Sequence, residues 1–393
     1  MVKLSRTLHN NKKMKKIRII LILPVTFFVL NANAQNFKGH LKLLNNLFIP
    51  HPDTLVWFND QTIDNRLEFR WQAFDFLRLE AQARNRFIYG DFVEFISDYA
   101  SFLDDNISYL DLSFIWADER SFVGHTEFDR LFAQFSYHDI ELTIGRQRVN
   151  WGIDLVWNPN DIFNTFSYLD IEYPERRGTD AITLKYYTGT LAFAELVFSP
   201  GRSADSSTYG VRYRTNILST DAQIIAARMP THYVIGGGFT SGLGQFAVRS
   251  EFSIFFKDNN NYSNGVLATL SADRSFGDGS FMQFGLLYNS FGSKNVREPL
   301  SLLQPRVQSP MMLSQGKVNL FVGFNTTIRT LFTPSISILA NPSDGSAAII
   351  PGIGYSASDN LTLALNGMLL TGNTNDEYPN FGQLAYFKVQ WNF

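Results

Sequence analysis

Residues 140–187 read IELTIGRQRVNWGIDLVWNPNDIFNTFSYLDIEYPERRGTDAITLKYY. The segment opens as an alternating strand, with Ile140, Leu142 and Ile144 on one face and Glu141, Thr143 and Gln147 on the other. It leaves that strand through Gly145 and Trp151-Gly152, then runs through a long stretch rich in Asn, Asp, Pro and aromatic residues. From Gly178 it alternates again, Ile182, Leu184 and Tyr186 against Thr183, Lys185 and Tyr187. A period of two marks a strand with unlike faces. Strand, long decorated loop, strand is the unit of a transmembrane antiparallel β-barrel, and this loop is the largest in the chain expected to carry function.

The same unit repeats along the chain. Phe37, Gly39, Leu41 and Leu43 alternate with Lys38, His40 and Lys42. Leu67, Phe69, Trp71 and Ala73 alternate with Arg66, Glu68, Arg70 and Gln72, and after a bend at Phe74-Asp75-Phe76, Leu77, Leu79, Ala81 and Ala83 alternate with Arg78, Glu80, Gln82 and Arg84. A soluble sheet with one wet face gives this pattern too, so the hairpin alone does not separate the two. Residues 89–119 are less regular. Phe92, Phe95, Ile96, Tyr99 and Phe102 have helical spacing, while Leu110, Leu112, Phe114 and Trp116 alternate. This predicts a long outer loop with a short helix, an extra hairpin being the alternative. Strands resume at Leu131–Tyr137, turn at His138-Asp139, and beyond Tyr187 centre on Phe193, Val211, Ile224, Ile235, Val248, Leu267, Leu286, Leu320, Ile336, Ile350, Leu363 and Phe387.

Tight turns at Gly189, Asn216, Ser241-Gly242, Gly277, Thr326-Thr327 and Ser358-Asp359 alternate with longer, more polar connections at 200–206, 258–264, 290–313 and 372–379. Short periplasmic turns alternating with longer outer loops characterise outer-membrane barrels, and the series predicts about 18 strands, with 16–18 as the range. Both mature termini then fall on the periplasmic side, and the long loops, with Asn160 and Asn261 on them, outside.

Composition agrees. The chain has 393 residues, no cysteine, 15% aromatic residues and a formal charge of -2. Aromatic girdles at two membrane interfaces use such an aromatic excess. The near-zero charge gives no support for nucleic acid as a partner, and the absence of cysteine excludes disulfide staples, thiol catalysis and a lipoprotein anchor. Lys12, Lys13, Lys15, Lys16 and Arg18 precede an apolar run from Ile17 to Leu30, and Ala32-Asn33-Ala34 offers a cleavage site before Gln35. The run is short of the roughly 20 apolar residues of a membrane span, so residues 1–34 are expected to be a cleaved signal peptide and residues 35–393 a single barrel domain. The final strand puts Phe381, Ala385, Phe387, Val389, Trp391 and Phe393 on one face. A terminal aromatic residue on such a strand resembles the assembly signal of outer-membrane barrels, carried here by Phe387, Trp391 and Phe393, and implies the barrel-assembly machinery and outer-membrane lipid as partners.

Gly145-Arg146-Gln147-Arg148-Val149-Asn150-Trp151-Gly152, Asn158-Pro159-Asn160-Asp161 and Arg176-Arg177-Gly178 resemble a porin-like group of outer-membrane proteins of unknown function. That group is distantly similar to alginate-export barrels, which share a GRQ-type strand end. The likeness in motif covers this loop region; elsewhere the agreement is architectural. It implies a porin-like barrel and passage of small solutes, with no particular substrate. Physically, glycines at a strand end permit a bulge or sharp turn. Arg146, Arg148, Asn150, Trp151, Asp154, Asn158, Asn160, Asp161, Arg176 and Arg177 are then candidates for a loop folded inward and held by hydrogen bonds, against the plainer reading of loop architecture without solute contact.

A second candidate set is a basic ladder. Arg66, Arg70, Arg78, Arg84, Arg86, Arg212, Arg214 and Arg249 take the polar register of their strands, with Glu68, Glu80 and Glu251 interleaved. That register must face the lumen, because a basic side chain on the lipid face at midplane costs about 2–4 kcal/mol. The functional reading is a channel lining that guides anionic solutes; the alternative is paired wall charges that stiffen the barrel. Enzyme chemistry has little support. His125, His138 and His232 lie singly, and neither these nor Asp129 and Asp139 have triad spacing. Gly236-Gly237-Gly238 lacks the helix of a nucleotide loop, and no cofactor or metal site is expected. The expected function is a porin-like channel for small polar or anionic solutes; a polysaccharide export or surface-assembly barrel, or a closed structural or adhesive barrel, is the alternative.

Overall fold

The computed structural model describes residues 35–51, 57–104, 108–165, 168–169, 177–293 and 309–393. The segment 1–34 and Arg176 lie outside the described residues. The first strands are β1 (Gln35–Pro50), β2 (Phe58–Phe74) and β3 (Leu77–Gly90), followed by the short helices α1 (Asp91–Phe95) and α2 (Tyr99–Leu103). Next come β4 (Ser113–Asp118), β5 (Phe122–Tyr137), β6 (Ile140–Gln147), β7 (Thr179–Tyr187), β8 (Phe193–Ser199) and β9 (Thr208–Ile217). They are succeeded by β10 (Thr220–Arg228), β11 (His232–Leu243), β12 (Phe246–Lys257), β13 (Gly265–Ser275) and β14 (Phe281–Asn289). The last are β15 (Val318–Asn325), β16 (Phe332–Asn341), β17 (Ser346–Ser358), β18 (Leu361–Leu370) and β19 (Gly382–Asn392).

The sheet holds 19 strands; without β4, which pairs only with β5, eighteen close one antiparallel ring. Closure is made by β1 against β19, where the amide of Gly39 donates to Phe393 O and the amide of Phe393 to Gly39 O, both at 2.9 Å. The Phe393 ring lies over Gly39, where a Cβ would stand 2.7 Å from it. Phe387, Trp391 and Phe393 all face outward. Phe381 does not share their face: it precedes β19 and packs its ring 5.9 Å from Phe48 inside the mouth.

Burial runs opposite to that of a soluble protein. Ile63, Leu131, Phe135, Ile144, Leu196 and Phe252 are exposed, whereas Asp64, Arg66, Asp129, Thr143, Glu195 and Glu251 at alternate positions are buried. An apolar outside and a polar inside at these positions fit a strand that meets lipid on one face and a lumen on the other; from β8 to β16 the inner face also carries Ile225, Phe255, Leu267, Leu287, Phe321 and Leu339, buried in one core with Trp151, Val156 and Trp157. The segment between β3 and β5 combines two short helices with the short strand β4. Ile88, Val123, Val93, Ala100 and Leu103 form a small core that holds α1 and α2 against β3 and β5. Strand β4 pairs with Val123–Glu127 of β5, while β6 pairs with Leu131–Tyr137. It therefore extends the sheet where β6 has turned away.

Most of the short turns lie at the end that holds both Gln35 and Phe393, and the longest connections at the other, where 229–231 and 342–345 are short as well. A cysteine replacing exposed Asn261, between β12 and β13, is expected to react with an impermeant maleimide on intact cells. One replacing Ser219, in the β9–β10 turn, is expected to react only after lysis. The reverse pattern would invert the topology.

Candidate functional site

The loop between β6 and β7 begins at a closed stem. Gly145 has φ of 122°, a conformation that L side chains rarely adopt, and a Cβ there would stand 2.3 Å from Leu131 O; glycine alone takes it without strain. Arg146 then turns inward and grips Asp180 at the start of β7 with two bonds, Nε to Oδ1 at 2.9 Å and Nη2 to Oδ2 at 3.0 Å. The same pair holds one residue of the β3–β5 connection. Arg146 Nη2 donates to Leu110 O at 2.6 Å, and the Leu110 amide donates to Asp180 Oδ2 at 2.7 Å. Gln147 Nε2 donates to Thr143 O and Ala181 O. Across the stem, a Cβ on Gly178 would come within 2.1 Å of Asp129 O. The two separated halves of the motif thus meet as the two legs of one loop.

Beyond the stem the chain lies on the inner wall. The Trp151 ring is fully buried, donates Nε1–H to Glu195 Oε2 on β8 at 2.7 Å, and meets Phe163 edge-on at 4.9 Å. Arg212 on β9 pairs with Glu195 at 2.6 Å, donates to Asn150 O at 2.9 Å, and stands 5.7 Å above the Trp151 ring. Gln223 on β10 donates to Trp151 O at 2.6 Å. Farther along, Glu251 on β12 accepts the amides of Ile153 and Asp154 on Oε1, and that of Asn160 on Oε2 at 3.2 Å. Asn160 Nδ2 donates to Gly237 O at 2.9 Å, and Ser253 Oγ donates to Asn160 Oδ1 at 2.8 Å. Trp157 meets Phe321 on β15 edge-on, and the Tyr168 hydroxyl lies 2.9 Å from Ser337 Oγ on β16. One loop thereby touches the wall from β8 round to β16.

The glycine triplet on β11 makes room for this. A Cβ on Gly236 would stand 2.5 Å from Asn160 Oδ1, and one on Gly238 3.1 Å from Ile153 Cδ1. Asn160 is 0% exposed, so loop length misplaces it: it lies against the wall rather than at the outer surface. Three hydrogen-bond partners on β11 and β12, Gly237 O, Glu251 and Ser253, hold it there, and their sequence positions are far from the motif. Asp154, Asn158 and Asp161 are buried as well; burial raises the carboxyl of Asp154 above the ordinary carboxylate range. Among the described residues 148–165, Arg148, Asn150 and Leu155 are the exposed ones. Arg177 lies 3.9 Å from Glu127 on β5.

The ladder residues fall into two groups. Arg66 reaches Asp129 at 2.5 Å, Arg84 reaches Asp64 at 2.6 Å, Arg214 reaches Asp221 at 2.9 Å, and Arg249 pairs with Asp273. Arg86 sits 3.2 Å from His125 Nδ1. Alternation within one strand finds the arginines but not these acids, which come from other strands or from bulges. Arg70, 3.3 Å from Glu80 and 3.6 Å from Glu68, and Arg78 remain exposed near the β2–β3 turn. Glu251 is no member of the ladder's charge alternation; it binds loop amides. His138 lies in the β5–β6 turn and Asp129 on the buried wall beside Arg66, so the two are not assembled into a site.

No protein-family model matches the chain, and no curated protein matches it. Solved structures do. OccAB3 of Acinetobacter baumannii is similar at a TM-score of 0.58 and 10% identity, over 91% of this chain and 99% of that one. A BenF-like porin from Pseudomonas fluorescens Pf-5 is similar at 0.58 and 10%, over 92% and 99%. The outer membrane protein OprD from Pseudomonas aeruginosa is similar at 0.56 and 8%, over 92% and 95%. Identities this low speak to architecture, and the alginate-export side of the motif resemblance has no counterpart in these three. The fold of this chain is that of the outer-membrane porin barrels.

Proposed function

We propose that the protein is an outer-membrane channel for small polar or anionic solutes. The observation that carries this reading is the β6–β7 loop, laid along the inner wall from β8 to β16 by hydrogen bonds instead of standing outside. A loop held there narrows a tube, and so limits passage to small solutes. Its exposed Arg148 and Asn150, with Arg70 and Arg78 lower on the wall, put cationic and amide groups on the water side. Most wall arginines, Arg70 among them, are matched by an acid, so in this reading the anion preference follows from how far an arginine is open to water, as Arg78 is. At about 10 Å of screening length in 0.1 M salt, that preference should fade as salt rises.

The test is planar-bilayer recording of purified protein in a salt gradient. Wild type is expected to conduct, and the double variant Arg70→Gln/Arg78→Gln to conduct with its reversal potential moved toward cations. Absence of current from well-folded protein would remove the channel; unaltered selectivity in the double variant would remove the role of these two arginines.

A further inference from the structure

Two carboxyl groups meet where the inward loop is fastened. Glu251, 0% exposed, binds the loop by accepting three main-chain amides, one of them that of Asp154. Asp154 itself is 6% exposed, and its carboxylate accepts the Leu155 amide at 2.6 Å and faces the hydroxyls of Thr269 and Ser271 on β13. Among the described residues neither acid makes an ion pair. From β11 the fastening faces the glycines 236 and 238. On β12 and β13, Arg249 is held by Asp273; on β8 and β9, Arg212 is held by Glu195. Burial disfavours the charged form of a carboxyl, and a second carboxylate nearby disfavours it further.

We propose that Asp154 is a pH sensor that unseats the loop from Glu251 as its own carboxyl ionises. The sign follows from linkage. In a lifted loop Asp154 is solvated and titrates near its ordinary value, 3.8; seated, it is raised by burial. An acid raised in one state favours that state in its protonated form, so the seated loop is favoured fully at low pH and loses that advantage as pH climbs through the raised value. Each unit of separation is worth about tenfold in the seated-to-lifted ratio. Glu251 supplies the acceptors for the loop amides, and ionisation of Asp154 sets a further buried charge beside them; the variant Asp154→Asn separates its contribution from that of Glu251. The consequence for current rests on the channel reading; the seating itself does not.

The reporter is Val156→Cys, since Val156 is 1% exposed while the loop is seated. Its maleimide reaction rate is divided by that of exposed Leu155→Cys, which removes the thiol's own titration. Between about pH 4 and pH 9 the ratio is expected to rise at least tenfold in full-length protein, and single-channel current to rise with it. Asp154→Asn keeps an acceptor for the Leu155 amide and should hold the ratio low throughout. Glu251→Ala should hold it high throughout. A flat ratio in the parent, or the same rise in Asp154→Asn, would overturn the proposal, as would a protected Val156→Cys in folded Glu251→Ala. A rising ratio in a barrel that passes no current would leave the sensor standing and remove the channel.

Discussion

Arg146→Ala is expected to lower the stability of the folded barrel by about 3–5 kcal/mol, the usual cost of stripping one partner from a buried ion pair. The size follows from what is left behind. Asp180, equally buried, loses both charge-assisted bonds, and Leu110 O and Phe128 O lose a donor. Each abandoned acceptor carries its own desolvation cost, on the order of 1–3 kcal/mol. The loss also frees Leu110, so the β3–β5 connection and the inward loop should loosen together. Arg146→Lys restores the charge but not the planar fork that spans Asp180 and Leu110, and should recover less than half of the loss. Urea unfolding in detergent micelles, followed by heat-modifiable mobility, measures it. Arg78→Gln, exposed at the far end of β3, is the control and should stay within about 0.5 kcal/mol. An Arg146→Ala midpoint equal to that of the control would show that the stem does not depend on the pair.

The contrast between these two arginines shows what the residues reveal before folding. Alternation identifies Arg78 as inward-facing and places every ring strand, but it puts Arg146 in register with Ile140, Leu142 and Ile144; only the turn at Gly145, φ 122°, brings that arginine inside. Alternation does not distinguish a buried keystone from an exposed side chain, because that depends on acids contributed by other strands. Asp64, Asp129 and Asp180 lie 20, 63 and 34 residues from the arginines they bind. The inward course of the β6–β7 loop was legible as a candidate from its Gly, Asn and Asp content. Its seat was not, because Gly236–Gly238, Glu251 and Ser253 look like ordinary strand residues until the barrel closes and brings β11 and β12 under Asn160. The segment between β3 and β5 mixed helical and alternating spacing for a physical reason: it holds two helices over a small core and then a short strand added to β5.

Trp151→Ala should have the largest effect on the loop itself. The indole is 0% exposed and fills the space between β8, β9 and the loop's return leg: Phe163 lies edge-on, Arg212 covers one face, and a Cβ on Gly210 would come within 2.9 Å of the ring. Removing a buried large aromatic side chain typically costs about 3–5 kcal/mol, the spread reflecting how far the site collapses. Collapse is hindered here, because the floor is a closed sheet that cannot move inward strand by strand. Glu195 loses one donor but keeps Arg212 and Lys185, so no buried charge is stranded and the barrel wall should survive. The cost therefore falls on the loop, which keeps its stem at Arg146 and its fastening at Glu251 but loses the packing between them. Single-channel current is expected to be larger and noisier than in wild type, with maleimide reaching Val156→Cys faster. Trp151→Phe keeps most of the ring and drops only the bond to Glu195, at about 1 kcal/mol, so it should conduct nearly as wild type does. If Trp151→Ala folds, conducts as wild type does and leaves Val156→Cys protected, the loop's position is set by its two ends alone and the indole is filling, not holding.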